Sequence, residues 1–150
     1  MKLKVLIVLS LAIFIQGCLK DSSTTGYTVT LSATDVFNQP SNTYTQGEKV
    51  QLNLAITNTG NTDISVLTGS CLASYEIFNS SGSSIGNVPI VCLAVVPTPT
   101  PLKPGNTLSE SILWLQDTTS SNTQLPIGTY NITGTVPGLA KKATITISII

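Results

Sequence analysis

The chain has 150 residues, with seven lysines and arginines together, seven acids and no histidine, so its formal charge is zero and only 9% of it is charged. Without histidine, the usual general base of a nucleophilic triad and the commonest metal ligand are both missing, which argues against a hydrolase. All the basic residues are lysines, and beyond the pair Lys141 and Lys142 none are adjacent, so nothing in the chain reads phosphate bidentately and no nucleic-acid partner is expected.

The first segment has the pattern of an export signal. Lys2 and Lys4 form a short basic start, and Val5 to Ile15 is an apolar run broken only by Ser10. That run is too short to cross a hydrocarbon core of about 30 Å as a helix. Ile15, Gln16, Gly17 and Cys18 resemble a lipobox, at which prokaryotic lipoproteins are acylated on cysteine and cut just before it. The competing reading is an ordinary secretory signal with an incidental thiol. The expected organisation is a signal peptide over 1–17, a lipid-anchored tether over 18–26 and a folded domain over 27–150. Two acyl chains on Cys18 make an anchor stable where one is marginal. The expected location is extracytoplasmic, held at the cell membrane.

If Cys18 carries lipid, Cys71 and Cys92 remain as a pair in an oxidising compartment, where a disulfide is expected; two separate buried thiols are the alternative. No metal site is expected, because no histidine or third thiol joins them.

Along the domain the period is two. Tyr27, Val29, Leu31 and Ala33 alternate with hydroxyl residues, and Val50, Leu52, Leu54 and Ile56 alternate with Gln51, Asn53, Ala55 and Thr57. Asn58 to Asn61 reads as a turn, Ile64 to Leu67 as a short strand and Ala73 to Phe78 as a further strand. Val88 to Val96, apolar and rich in β-branched residues, is expected to form a strand buried on both faces, with Pro89 limiting its start to an edge or bulge. Val96, Pro97, Thr98, Pro99, Thr100, Pro101 and Leu102 alternate proline and favour a stiff polyproline II course. Two readings stand there: a preordered loop that meets a partner, or a crossover kept out of the sheet by its prolines.

After the turn at Pro104 and Gly105, Leu108, Ile112 and Trp114 share a parity, with Glu110 the odd member. Trp114 reads as a core plug or, alternatively, as an exposed stacking residue. Gly128 followed by Tyr130 reads as a tyrosine corner leading into a strand with Ile132, Gly134 and Val136 on one side. Ala143, Ile145, Ile147 and Ile149 form the last strand. No helical period follows the leader, so the expected fold is all-β: an immunoglobulin-like antiparallel β-sandwich of seven or eight strands.

The series from Asn58, Thr59 and Gly60 through Pro104 and Gly105 to Trp114 and then Gly128 and Tyr130 resembles the BsuPI-type intracellular proteinase inhibitor domain over roughly Val50 to Val136. The resemblance implies an immunoglobulin-like domain with proteinase-inhibitory or protein-binding action, and no reactive bond is assigned from it. The expected function is a surface-anchored, non-enzymatic protein-binding module of a prokaryotic lipoprotein. The alternative is an exported proteinase inhibitor acting through the loop 96–102. No cofactor is expected; the expected partners are the membrane through Cys18 and a protein or proteinase. Asp35, Glu48, Asp63, Glu76, Glu110 and Asp117 are scattered, and no Asp-x-Asp-x-Asp-Gly spacing suggests calcium. The sequons at Asn79 and Asn131 permit glycosylation where the host performs it.

Overall fold

The computed structural model describes residues 26–119 and 123–150. The leader, Cys18 and the tether up to residue 25 lie outside them. Ten strands and no helix make up the described chain: β1 (Tyr27–Thr34), β2 (Thr43–Tyr44), β3 (Val50–Asn58), β4 (Ile64–Thr68), β5 (Ser74–Phe78), β6 (Ser84–Asn87), β7 (Thr98–Leu102), β8 (Thr107–Trp114), β9 (Gly128–Thr135) and β10 (Lys142–Ile149).

They form three sheets, ordered β1-β3-β8, β2-β10-β9-β5-β6 and β4-β7. The first two face each other as an all-β sandwich. Their order follows the immunoglobulin arrangement of A, B and E strands against G, F, C and C′. All pairings are antiparallel except that of β2, which runs parallel to β10. Seven of the eight expected strands are present and the one over 88–96 is not; the three unexpected ones are the two-residue β2, too short to leave an alternating pattern, the four-residue β6 and β7.

The alternation read from the sequence places the core. Val50, Leu52, Leu54 and Ile56 of β3 are fully buried, and β3 pairs with β1 on one side and β8 on the other. Opposite them lie Tyr75, Ile77, Ile132 and Ile147, also fully buried. A Cβ on Gly134 would stand 2.7 Å from Leu54 Cδ1, so the absence of a side chain there lets the two sheets close. Trp114 is a core residue, 1% exposed, and its indole N–H donates to the Asp117 carbonyl at 2.7 Å. Tyr130 makes the expected corner, donating its hydroxyl hydrogen to the Pro126 carbonyl at 2.7 Å.

Two expectations are overturned. Val88 to Val96 forms no strand: only Val88 is buried, and Pro89 to Pro97 is an irregular segment. The bonding to β5 ends with the Val88 amide on the Tyr75 carbonyl at 2.9 Å, and beyond the conformationally fixed Pro89 the apolar composition that suggests a buried strand is left in a loop. The proline segment, in contrast, is neither a free connector nor a crossover excluded from sheets. Thr98–Leu102 is β7, paired residue for residue with β4 from Thr68↔Thr98 to Ile64↔Leu102. Prolines at every second position remove donors from only one edge of a strand, so Thr98, Thr100 and Leu102 supply the ladder donors while Pro99 and Pro101 face away.

Candidate functional site

Inward-pointing polar groups shape the end of the sandwich that carries β4, β7 and the disulfide. Glu110, on the apolar parity of β8, accepts the backbone N–H groups of Leu72 at 3.0 Å and Ala73 at 3.3 Å. This carboxylate thus ties the segment after β4 to β8, directly beside Cys71. Burial, reinforced by the Glu110 charge, pushes the Tyr75 hydroxyl well above its ordinary value, and that hydroxyl finds no hydrogen-bond partner among the described residues.

Cys71 and Cys92 form the expected disulfide, with Cα atoms 5.0 Å apart. It pins the middle of the loop 89–97 to the end of the β4 segment, and Ser70 Oγ adds a bond to the Leu93 carbonyl at 3.3 Å. The loop is therefore held at both its backbone and its sulfur. Its side chains are not buried: Val91 is fully exposed, Leu93 is 74% exposed and Val96 86%.

Two concave regions border this loop. An apolar cleft of 240 Å³ lies among Leu67, Ala73, Ile90, the disulfide, Pro97 and Pro137. A groove of 390 Å³ runs between Pro89, Ile90 and Val91 on one side and Glu110 to Leu113 of β8 on the other. Among the described residues strand β8 is an edge strand of its sheet, paired through its length with β3 alone. An eight-residue edge of this kind is a ready template for another extended chain.

Of the residues singled out in the sequence, Val96 and Pro97 end the apolar loop, and Thr98, Pro99, Thr100 and Pro101 are exposed on β7 while Leu102 is half-buried. Thr100 Oγ1 and Thr68 Oγ1 share a hydrogen bond at 2.6 Å across the ribbon. The outer edge of β7 carries Pro99 and Pro101, which cannot donate hydrogen bonds. Asn79 caps its own turn, its side-chain oxygen accepting the amides of Ser81 at 3.1 Å and Ser83 at 2.9 Å. Asn131 accepts from Thr146 Oγ1 at 2.6 Å on the outer face of β9. Among the described residues no three His, Cys, Asp or Glu side chains converge as metal ligands.

Two buried amides escaped the sequence reading. Asn58 donates through Nδ2 to the carbonyls of Thr62 at 2.8 Å and Leu102 at 2.7 Å, and its Oδ1 accepts the Gly60 amide at 3.0 Å. It joins the ends of β3 and β7 to the start of the β4 segment. Gln116 donates to Thr45 and Glu48 carbonyls at 2.8 and 3.0 Å and accepts the Gly47 amide at 2.9 Å, closing the opposite end. Both continue the inward parity of a strand, Asn58 after Ile56 and Gln116 after Trp114, and a polar residue on an apolar parity was the available signal.

No protein-family model matches the chain, and no curated protein matches it. Solved structures with similar folds include a β-glucosidase from Erythrobacter marinus, at TM-score 0.50 and 13% identity, of which the match covers 84% of this chain and 16% of the other. The chain therefore spans about a sixth of that enzyme's length. Others are the CARDB domain of the PF1109 protein of Pyrococcus furiosus in complex with di-metal ions, at TM-score 0.48 and 14% identity over 85% of this chain and 96% of the other, and the ApaA protein of Bordetella pertussis, at TM-score 0.39 and 20% identity over 85% and 91%. At these identities the likeness concerns the sandwich fold.

Proposed function

We propose that the chain is a surface-anchored, non-enzymatic protein-binding module of a prokaryotic lipoprotein, held to the cell membrane through Cys18. The observation that carries the binding role is the β8 edge: eight residues with a free side, bordered by a groove whose outer wall is the disulfide-held loop. A partner in extended conformation gains main-chain bonds along such an edge and side-chain contacts in the groove. The wall is already fixed by the disulfide and by Glu110, so little ordering entropy is lost when the partner arrives.

The experiment compares the natural protein with a Ser109→Lys, Leu113→Lys variant, both positions being exposed on β8. Lysine on an edge strand discourages added strands without altering the core. The natural protein, crosslinked in intact cells, is expected to carry a discrete protein partner that the double variant loses while its thermal melting is kept. Equal recovery by both proteins removes β8 as the site. Turnover of a small substrate by the purified chain removes the non-enzymatic reading.

A further inference from the structure

We infer that the end of the sandwich from which Gly26 leads back toward Cys18 rests on an anionic lipid bilayer, with Leu93, Val95 and Val96 entering the headgroup layer and Lys103, Lys141 and Lys142 beside them. The placement rests on the anchor at Cys18 proposed above; the choice of face rests on the geometry and charge of the domain itself.

The start of the domain and the apolar loop lie at one end. The Gly26 carbonyl accepts the amides of Thr59 at 3.0 Å and Gly60 at 2.9 Å, which fixes the beginning of β1 beside the turn after β3. The Tyr27 hydroxyl accepts the amides of Ala140 and Lys141 at 2.9 and 3.1 Å, bringing in the turn between β9 and β10. Asn58 donates its amide hydrogen to the Asn106 carbonyl at 3.0 Å, bringing in the turn that carries Lys103. Cys92 and Pro97 share the apolar cleft with Pro137 of the β9–β10 turn, so the loop reaches this end as well. Eight residues separate Cys18 from Gly26, a covalent reach of at most about 28 Å. An acylated Cys18 therefore keeps this end close to the membrane surface and at high effective concentration there.

The chemistry of the end suits a bilayer. From Val88 to Leu102 the chain carries no charge, and Leu93 and Val96 are 74% and 86% exposed in a segment that the disulfide holds in place. Charge is divided along the long axis of the sandwich. At this end three lysines, 103, 141 and 142, face one acid, Asp63, for a balance of +2; at the other, Asp35, Glu48 and Asp117 face Lys49, for −2. Glu76 on β5 pairs with Thr133, two residues in from the lysine end, and lowers the balance on that half to +1, still opposite in sign to the other end, while Glu110 points inward. Lysines close to an anionic leaflet are attracted to it, and aliphatic side chains gain by leaving water. Exposed apolar residues occur at the opposite end too, Phe37 at 77% and Ile127 at 68%, but there they sit among acids that an anionic surface repels. That end supplies a matched control.

The test uses residues 18–150, which contain all the strands and core residues found among the described residues. With Cys71 and Cys92 bonded to each other, Cys18 is the single free thiol and couples to a maleimide-headgroup lipid in vesicles of equimolar phosphatidylcholine and phosphatidylglycerol. A tryptophan is introduced by Leu93→Trp or by Phe37→Trp, with buried Trp114 as a constant background, and the vesicles carry brominated acyl chains. The Leu93→Trp protein is expected to lose most of its added emission and to shift to the blue, while the Phe37→Trp protein keeps its emission. Adding Lys103→Glu and Lys142→Glu is expected to restore emission at position 93. Equal responses at 93 and 37, or none at 93, overturn the inference; the latter includes a loop covered by a protein partner or a second copy, which shields without bringing bromine near. Because chemical coupling replaces natural acylation, this outcome is independent of the anchor itself, which the intact mass of the membrane-extracted protein decides.

Discussion

Replacing Asn58 by alanine tests whether a single buried amide holds the elaborated end of the sandwich. Asn58 is fully buried, and its side chain makes three hydrogen bonds of 2.7 to 3.0 Å to Thr62, Leu102 and Gly60. Alanine removes all three; the carbonyls of Thr62 and Leu102 lose their side-chain donor, while the Gly60 amide keeps its second bond, to the Gly26 carbonyl at 2.9 Å. At a net contribution of about 1 kcal/mol for each bond, the loss is about 3 kcal/mol, and incomplete rehydration of the stranded groups adds to it. A domain of this size is stabilised by roughly 5–15 kcal/mol, so the change is a large fraction of the whole. It corresponds to a fall in Tm of about 12 °C at roughly 4 °C per kcal/mol. Guanidinium titration followed by circular dichroism, with the disulfide intact, measures the change. Asn53→Ala on the same strand removes longer bonds to Thr34 and Gln51 and one to Ser111 on the outer face, where water replaces them, and is expected to cost no more than about 1 kcal/mol. A loss at Asn58 below about 1 kcal/mol, or equal losses at the two asparagines, would mean that water replaces the three bonds and that the buried amide does not hold this end of the sandwich.

Three further outcomes follow from the same structure. Cys71→Ala with Cys92→Ala is expected to lower stability by about 3 kcal/mol on the loop-entropy estimate, and comparing oxidised with reduced natural protein by denaturant titration checks it. Gly134→Ala is expected to cost about 1–3 kcal/mol, because its Cβ meets Leu54 Cδ1 at 2.7 Å in a filled core; adding Leu54→Val, which withdraws that methyl group, is expected to recover part of the loss in the same titration. Tyr44, Tyr75 and Tyr130 all hold their protons more tightly when folded, chiefly through burial. Above pH 10 the unfolded chain loses these protons while the folded one keeps them, so stability is complete below the ordinary tyrosine value and falls as the pH rises past it. Tyr75, the most strongly shifted, contributes a slope that reaches at most about 1.4 kcal/mol per pH unit, and only well above pH 10; a stability flat between pH 9 and roughly 11, measured by urea titration, contradicts it.

The sandwich was legible because its long strands bury one face and wet the other. The alternation in β3 and β10 names both the strand and the side that packs, and Trp114 and Tyr130 announce a core residue and a corner. What failed were segments whose composition and pairing disagree. Val88 to Val96 has the residues of a buried strand, but the chain leaves the sheet after Val88 and the segment is held by a disulfide instead of a ladder. Thr98 to Leu102 has the residues of an unpaired connector, yet its alternating prolines leave one complete edge for β4. The β8 edge groove was illegible for another reason: it is made by two segments about twenty residues apart whose meeting depends on Glu110 and the disulfide. Glu110 stood out as the odd residue on its parity, while its partners, two backbone amides, leave no mark in a sequence.

The central position of β3 also bears on how the chain assembles. Its partners in β8 lie between 50 residues away, for Thr57 with Thr107, and 64 away, for Val50 with Trp114, whereas β1 is its near neighbour. Pairings of such long separation form late and slow the folding of β-sandwiches. Until β8 arrives, the hairpin of β1 and β3 presents Val50, Leu52, Leu54 and Ile56 beside an unpaired edge, the arrangement most prone to joining its counterpart in a second molecule. The yield of native protein on renaturation is thus tied to chain concentration, and dilution during refolding favours the sandwich over pairing between molecules.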